Sequence, residues 1–234
     1  MTTVLILGAN GKIAKLAEAE LLAQTADQLK LFLRNADRLN VTDVSRQQVI
    51  EGDATDPAAL VSAMDHVDVV YANLAGKNIE QQAKSVVTAM NQAGVQRLIW
   101  ISTLGIYDEV PGNFGKWNHK MLDGGYLETY AAAAKVIEQS NLNYTIVRPA
   151  WLSNRDIVSY ETTRKGEPFK GTEVSRKSIA DFVVQLIADP NKASRQSIGV
   201  NQPGTDGDKP SFYWSPIIGC KLIPETTFKR GYNE

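Results

Sequence analysis

Short apolar runs alternate along this chain with stretches in which apolar residues recur every three or four positions. Val4-Leu5-Ile6-Leu7 is four apolar residues ending on Gly8, as a strand buried on both faces would. Ile13, Leu16, Ala17 and Leu21 then fall at helical spacing. The same reading predicts strands over Leu29–Leu33, Gln48–Ile50, Val67–Tyr71, Leu98–Ile101 and Tyr144–Val147. Between them it predicts helices over Pro57–Met64, Ile79–Ala93 and Tyr130–Gln139. Ile179, Phe182, Val183, Leu186 and Ile187 mark the clearest amphipathic helix. Strand–helix alternation of this kind implies right-handed βαβ units and a parallel sheet. No linker or internal repeat divides the chain. It therefore reads as one α/β domain over 1–234, a doubly wound parallel sheet with helices on both faces. A small substrate-side region is expected from about 150–175 and 201–234. Residues 104–125, with Pro111 and five glycines, and residues 201–216 break the alternation and read as loops.

Composition narrows the function classes. Lys+Arg 25 against Asp+Glu 26 leaves no basic surplus, so nucleic-acid binding is not expected. The single cysteine, Cys220, argues against a disulfide framework and a cysteine metal site, and no metal ligand set is expected. His66 and His119 lack partners at ligand spacing. No apolar run nears the roughly 20 residues that span a bilayer, and no basic segment precedes the first apolar run. A cytoplasmic protein acting on a small-molecule acceptor, without membrane or nucleic-acid partner, is expected. A homodimer stays open.

Chemistry enters at Gly8-Ala9-Asn10-Gly11-Lys12-Ile13-Ala14, which closes the first strand and opens the first helix. Gly8 permits a tight turn, and Gly11 would let backbone approach a pyrophosphate. Asn10 sits within the turn, and the first helical N–H groups, at Lys12 and Ile13, would face the anion. At the end of the second strand, where Asp or Glu would accept from a ribose 2′-hydroxyl, stands Arg34, with Arg38 one turn on. A guanidinium forks well onto a 2′-phosphate, so NADP(H) is favoured and NAD(H) remains admissible. Arg34 would equally suit a surface strand end. Asp53, with Ala54 after it, is placed either to accept from an adenine amino group or to cap the helix near Pro57. Asn73-Leu74-Ala75-Gly76 supplies small residues where the chain would pass the adenosine ribose.

Gly-Ala-Asn-Gly at 8–11, Arg34, Gly52-Asp53-Ala54, Ile101-Ser102-Thr103 and Tyr144-Thr145-Ile146-Val147-Arg148-Pro149-Ala150 together resemble the atypical short-chain dehydrogenase/reductases, in their NmrA-like or NAD(P)H-binding branch. The match runs over roughly residues 3–200. It implies a Rossmann-type fold, with Ser102 and Pro149 at the cofactor. Catalysis in that superfamily uses Ser and Tyr hydroxyls with a Lys four residues after the Tyr. Ser102 fits the serine. Counting back from Arg148-Pro149 gives Tyr126 for the tyrosine, but Tyr130 stands where the lysine belongs. Lys135 follows Ala131 by four, so neither register yields a Tyr-x-x-x-Lys pair.

Two function classes stay open. One is an oxidoreductase moving hydride between NADP(H) and an acceptor that needs little acid catalysis, such as a flavin or quinone, with Ser102 and Tyr126 as candidate catalytic hydroxyls. The other is a non-catalytic NADP(H)-responsive regulator, as some NmrA-like proteins are. Tyr107 is a further hydroxyl near the expected cleft. Phe114, Trp117, Trp151, Leu152, Tyr160 and Phe169 are candidates for an apolar acceptor pocket.

Overall fold

The computed structural model describes residues 1–213. Cys220 and the part of the expected substrate-side region beyond Tyr213 lie outside them. Strand β1 (Thr3–Leu7) leads through helix α1 (Lys12–Gln24) to β2 (Gln28–Leu33), and β3 (Gln47–Glu51) follows. Helix α2 (Pro57–Ala63), β4 (Val69–Ala72), α3 (Ile79–Ala93) and β5 (Arg97–Ile101) continue the alternation. Then come α4 (Gly112–Met121), α5 (Tyr126–Glu138), β6 (Asn143–Pro149) and β7 (Trp151–Ser153). The described chain closes with β8 (Glu161–Arg164), β9 (Glu173–Ser175), α6 (Arg176–Ala188) and β10 (Gln196–Asn201).

The main sheet runs β3-β2-β1-β4-β5-β6-β10-β8, and β7 and β9 form a separate two-stranded ladder. Every pairing in the main sheet is parallel except β8 against β10. Strand order reverses between β1 and β4, which opens a crevice at their carboxyl ends, where ligands of doubly wound sheets sit. This is the expected Rossmann-type fold.

Pleating divides the core in two. Val4, Ile6, Tyr71 and Ile99 point to the face covered by α1 and α6, whereas Leu5, Leu7, Val70 and Trp100 point to the face covered by α2, α3 and α5. Because central strands are buried on both sides, they read as continuous apolar runs rather than alternating ones. Caps set several helix ends. Asp56 accepts from Ala58 N–H at 2.9 Å to start α2, with Pro57 at its first position. Ser175 does the same for α6 through Ser178 N–H, 2.9 Å.

The expected loop over 104–125 is corrected: it contains the ten-residue helix α4. Its glycines cluster at the two ends of that helix, and Phe114 and Asn118 are buried by it. Helix α5 also begins earlier than its apolar pattern implied, at Tyr126. Tertiary packing of short polar segments decides both cases. The antiparallel edge strand β8, Glu-Thr-Thr-Arg, carries no apolar alternation that would reveal it.

Candidate dinucleotide and acceptor site

The turn after β1 is tight. Gly8 has φ +76°, a left-handed value that favours glycine, and Gly11 N–H donates to the Gly8 carbonyl at 3.0 Å. Both glycines face the end of β4. A Cβ on Gly8 would lie 2.4 Å from the Asn73 carbonyl oxygen, and one on Gly11 would lie 2.0 Å from Asn73 Nδ2. The need for glycine at 11 thus comes first from Asn73, which packs into the turn from β4, and not from a phosphate alone.

Helix α1 starts uncapped: Gly11 is its N-cap, and the first intrahelical acceptor is the Gly11 carbonyl, taken by Lys15 N–H at 2.9 Å. The N–H groups of Lys12, Ile13 and Ala14 are therefore left for an anion. Asn10 carries a buried Oδ1 with no partner, an acceptor that stands apart from these donors. Lys12, Arg34 and Arg38 are exposed around this opening and form no ion pair among the described residues. The pyrophosphate of a dinucleotide fits these helix N–H donors.

Arg34 follows β2 directly, and Asn35 turns the chain at φ 58°. Glu51, at the end of β3, escaped the sequence reading. Its Oε2 accepts from Ala36 N–H at 2.9 Å, so it holds the loop that carries Arg34. Asp53 does not cap α2, since Asp56 does. Asp53 Oδ1 instead accepts from Thr55 N–H and Thr55 Oγ1, both at 2.8 Å. Those two bonds, with Arg34 adding a smaller pull, hold its carboxyl below the usual aspartate range. Its Oδ2 makes no bond among the described residues. Ala54 is buried behind it, and Asn73, Leu74 and Ala75 border the crevice from β4.

At the other end, Ser102 N–H continues β5 by donating to the Val147 carbonyl at 2.8 Å, and Leu104 N–H donates to the Pro149 carbonyl at 3.2 Å. Ser102 is buried and its hydroxyl has no partner. Tyr126 opens α5 with its ring stacked on Tyr130, centroids 4.4 Å apart. Tyr130 is buried, and burial pushes its hydroxyl above the ordinary range, partly offset by the Tyr126 hydroxyl and Gly76 N–H. A buried ring thus stands one helical turn after Tyr126. Lys135 lies exposed further along α5.

Tyr107 is withdrawn from the site. Its hydroxyl binds Glu138 at 2.7 Å and Ser197 at 3.2 Å. The loop that carries it is fixed by a buried ion pair between Arg148 and Glu109, whose carboxylate also accepts from Gly105 and Tyr107 N–H, both at 3.0 Å. The aromatic candidates separate as well. Phe114, Trp117 and Trp151 cluster beyond β6, whereas Tyr160 packs on Phe182 of α6 and Phe169 lies buried in the core. A cavity of about 660 Å³ lies between the first turn of α4 and residues 163–170 and 206–207, but neither Ser102 nor the glycine turn lines it.

Residues 8–190 match the family model described as NAD(P)H-binding. A Rossmann-fold NAD(P)-binding family protein from Shigella flexneri is 43% identical, with TM-score 0.78, over 91% of this chain and 100% of that one. A short-chain dehydrogenase/reductase from Veillonella parvula, solved in complex with NADP, is 34% identical, with TM-score 0.85, over 90% of this chain and 99% of that one. An NAD(P)H azoreductase from Xenophilus azovorans is 22% identical over 196 residues. That stretch is 80% of this chain and 64% of the azoreductase, so under two thirds of the relative's length is matched. Among the described residues no helix is long and apolar enough to cross a membrane.

Proposed function

The chain belongs to the NAD(P)H-binding family of the atypical short-chain dehydrogenase/reductases, and from that premise we propose that it is an NADPH-dependent reductase of flat, conjugated acceptors such as flavins and quinones. The observation that carries the choice of acceptor is Tyr130: where a cation would lower the pKa of Tyr126, there is a buried ring. An azo compound, the acceptor in the name of the Xenophilus relative, is likewise conjugated.

Preference for NADPH rests on Arg34. No acid stands at the end of β2 to accept from a 2′-hydroxyl, and Glu51, at the end of the neighbouring β3, is engaged by Ala36 N–H. The residues that would hold the dinucleotide are Gly8, Asn10, Gly11, Lys12, Ile13, Arg34, Asp53, Ala54, Asn73, Leu74 and Ala75, with Ser102 and Pro149 at the nicotinamide end. When bound, the nicotinamide supplies the hydride. The chain's part is to exclude water from the crevice and set donor against acceptor, a contribution that geometry alone can make large. Ser102 offers an unpartnered hydroxyl to an acceptor oxygen or to the carboxamide.

The test is NADPH oxidation by the purified protein across an acceptor panel. FMN or menadione should support faster turnover than simple ketones or aldehydes. Tight NADPH binding with no oxidation on any acceptor would overturn the reading and favour a regulator.

A further inference from the structure

After β10 the chain crosses back over the carboxyl end of the sheet as a strap, residues 202–213. It is fastened at several points. Gln202 N–H donates to the Glu173 carbonyl at 2.8 Å, and Thr172 N–H donates to the Thr205 carbonyl at 3.0 Å. The strongest fastening is the Glu173 side chain, which is 1% exposed. Its two oxygens accept from Ser211 N–H and from Ser211 Oγ, the latter at 2.9 Å. Arg155 reaches the same carboxylate at 3.5 Å and also donates to Ser211 Oγ at 3.0 Å. A buried carboxylate with charged and neutral donors around it fixes position well.

What it fixes is Tyr213. Tyr213 N–H closes a turn on the Pro210 carbonyl at 2.9 Å. Its ring meets Trp117 edge-on at 4.8 Å and 78°, and Trp151 at 5.5 Å and 77°. Trp151 is itself held by its Nε1–H on Asn118 Oδ1, 2.8 Å. It stands two residues past Pro149, whose carbonyl is tied to the segment after Ser102. The aromatic cluster therefore stands at the joined ends of β5 and β6. Trp151 is buried, while Trp117 and Tyr213 keep part of their surface open.

We propose that Tyr213 and Trp117 form the acceptor-facing wall of the site, and that Glu173 is the positioning residue that holds Tyr213 there. The wall selects flat conjugated acceptors, because ring faces and edges reward planar partners irrespective of their substituents. This rests on the reductase reading above, and it adds the residues that choose the acceptor. Glu173→Gln keeps the volume but turns one Ser211 acceptor into a donor and removes the charge opposite Arg155.

The experiment is calorimetry of FMN and of menadione with the full-length protein, with and without NADP+, beside a separate NADPH titration. Tyr213→Ala should weaken acceptor binding by about tenfold or more, and Tyr213→Phe by less than about twofold, because the ring remains. Glu173→Gln should fall between them, and NADPH affinity should be the same in all. Tyr213→Leu, which keeps apolar bulk without a ring, serves if the alanine variant does not fold. In turnover the loss should appear in KM for FMN or menadione rather than in kcat. Unchanged acceptor binding in the Tyr213 variants overturns the proposal, as does absence of binding of either acceptor to the unmodified protein. Failure of the parent reading would show separately in the unmodified protein, as NADPH that binds but is oxidised by no acceptor in the panel.

Discussion

Glu18→Gln should remove a pH dependence of stability that the fold itself creates. Glu18 sits on the sheet-facing side of α1, only 6% exposed, with its Oε1 unpartnered and the equally unpartnered hydroxyl of Tyr71 nearby. Burial pushes its carboxyl from 4.5 to about 8, against a small pull from Lys15. The acid is therefore carried neutral in the fold at pH 7 but ionised in the unfolded chain. Because the folded value is the higher, its stabilising contribution is complete below about pH 4.5 and is lost as pH rises through 8. At about 1.4 kcal/mol per pH unit, the loss is on the order of 3 kcal/mol at pH 7 and 5 kcal/mol above pH 9. Glutamine keeps the shape and does not titrate. Urea unfolding of both proteins at pH 5, 7 and 9 gives the difference at each pH, and any constant offset from the amide cancels. The gap should widen in favour of the variant as pH rises. Parallel stability profiles would show that Glu18 is solvated, and the reasoning from burial would fail.

Other perturbations address the site. Arg34→Ala should weaken NADPH binding by roughly 1.5–3 kcal/mol and leave NADH almost unchanged; equal affinity of the unmodified protein for both cofactors, by calorimetry, would reject the 2′-phosphate contact. Gly11→Val should abolish dinucleotide binding with the fold retained, checked by circular dichroism beside a cofactor titration, because the branched side chain would drive Asn73 Nδ2 out of the turn. Tyr126→Phe should cost less than about tenfold in kcat, against the 10²–10⁴-fold expected when a positioned acid is lost. Ser102→Ala should cost more, and a large Tyr126→Phe loss confined to ketones would reveal a working tyrosine acid.

The first six parallel strands and the glycine turn were legible because each rests on local chemistry, whereas the parallel strand β10, Gln-Ser-Ile-Gly-Val-Asn, was not. A two-sided buried strand must be apolar throughout, and a turn that opens a helix onto an anion must leave its N–H groups bare. Helix α4 was not legible, since Gly112-Asn113-Phe114-Gly115 has poor intrinsic helix propensity and is held by the burial of Phe114 and Asn118. Nor was Glu51, whose role depends on β3 pairing in register with β2 so that its side chain reaches Ala36. The reason for glycine at 11 was misattributed in part, because a contact with a residue 62 positions later has no local signature. Aromatic residues were hardest to sort. Tyr160, Phe169 and Trp117 look alike in sequence, and only their partners show that the first two serve the core.

The place of β10 has a consequence for the order in which the protein is made. It pairs with β6 on one side and β8 on the other, yet among the described residues it is the last strand of the sheet in the sequence. On the ribosome, β6 can join β5 as soon as it emerges, but its outer row of backbone donors and acceptors must wait for about fifty more residues. Strand β8 emerges in that interval and finds no neighbour in the sheet until Gln196–Asn201 arrives between them. A nascent chain ending near residue 190 therefore exposes an open parallel edge, a template for self-association during synthesis.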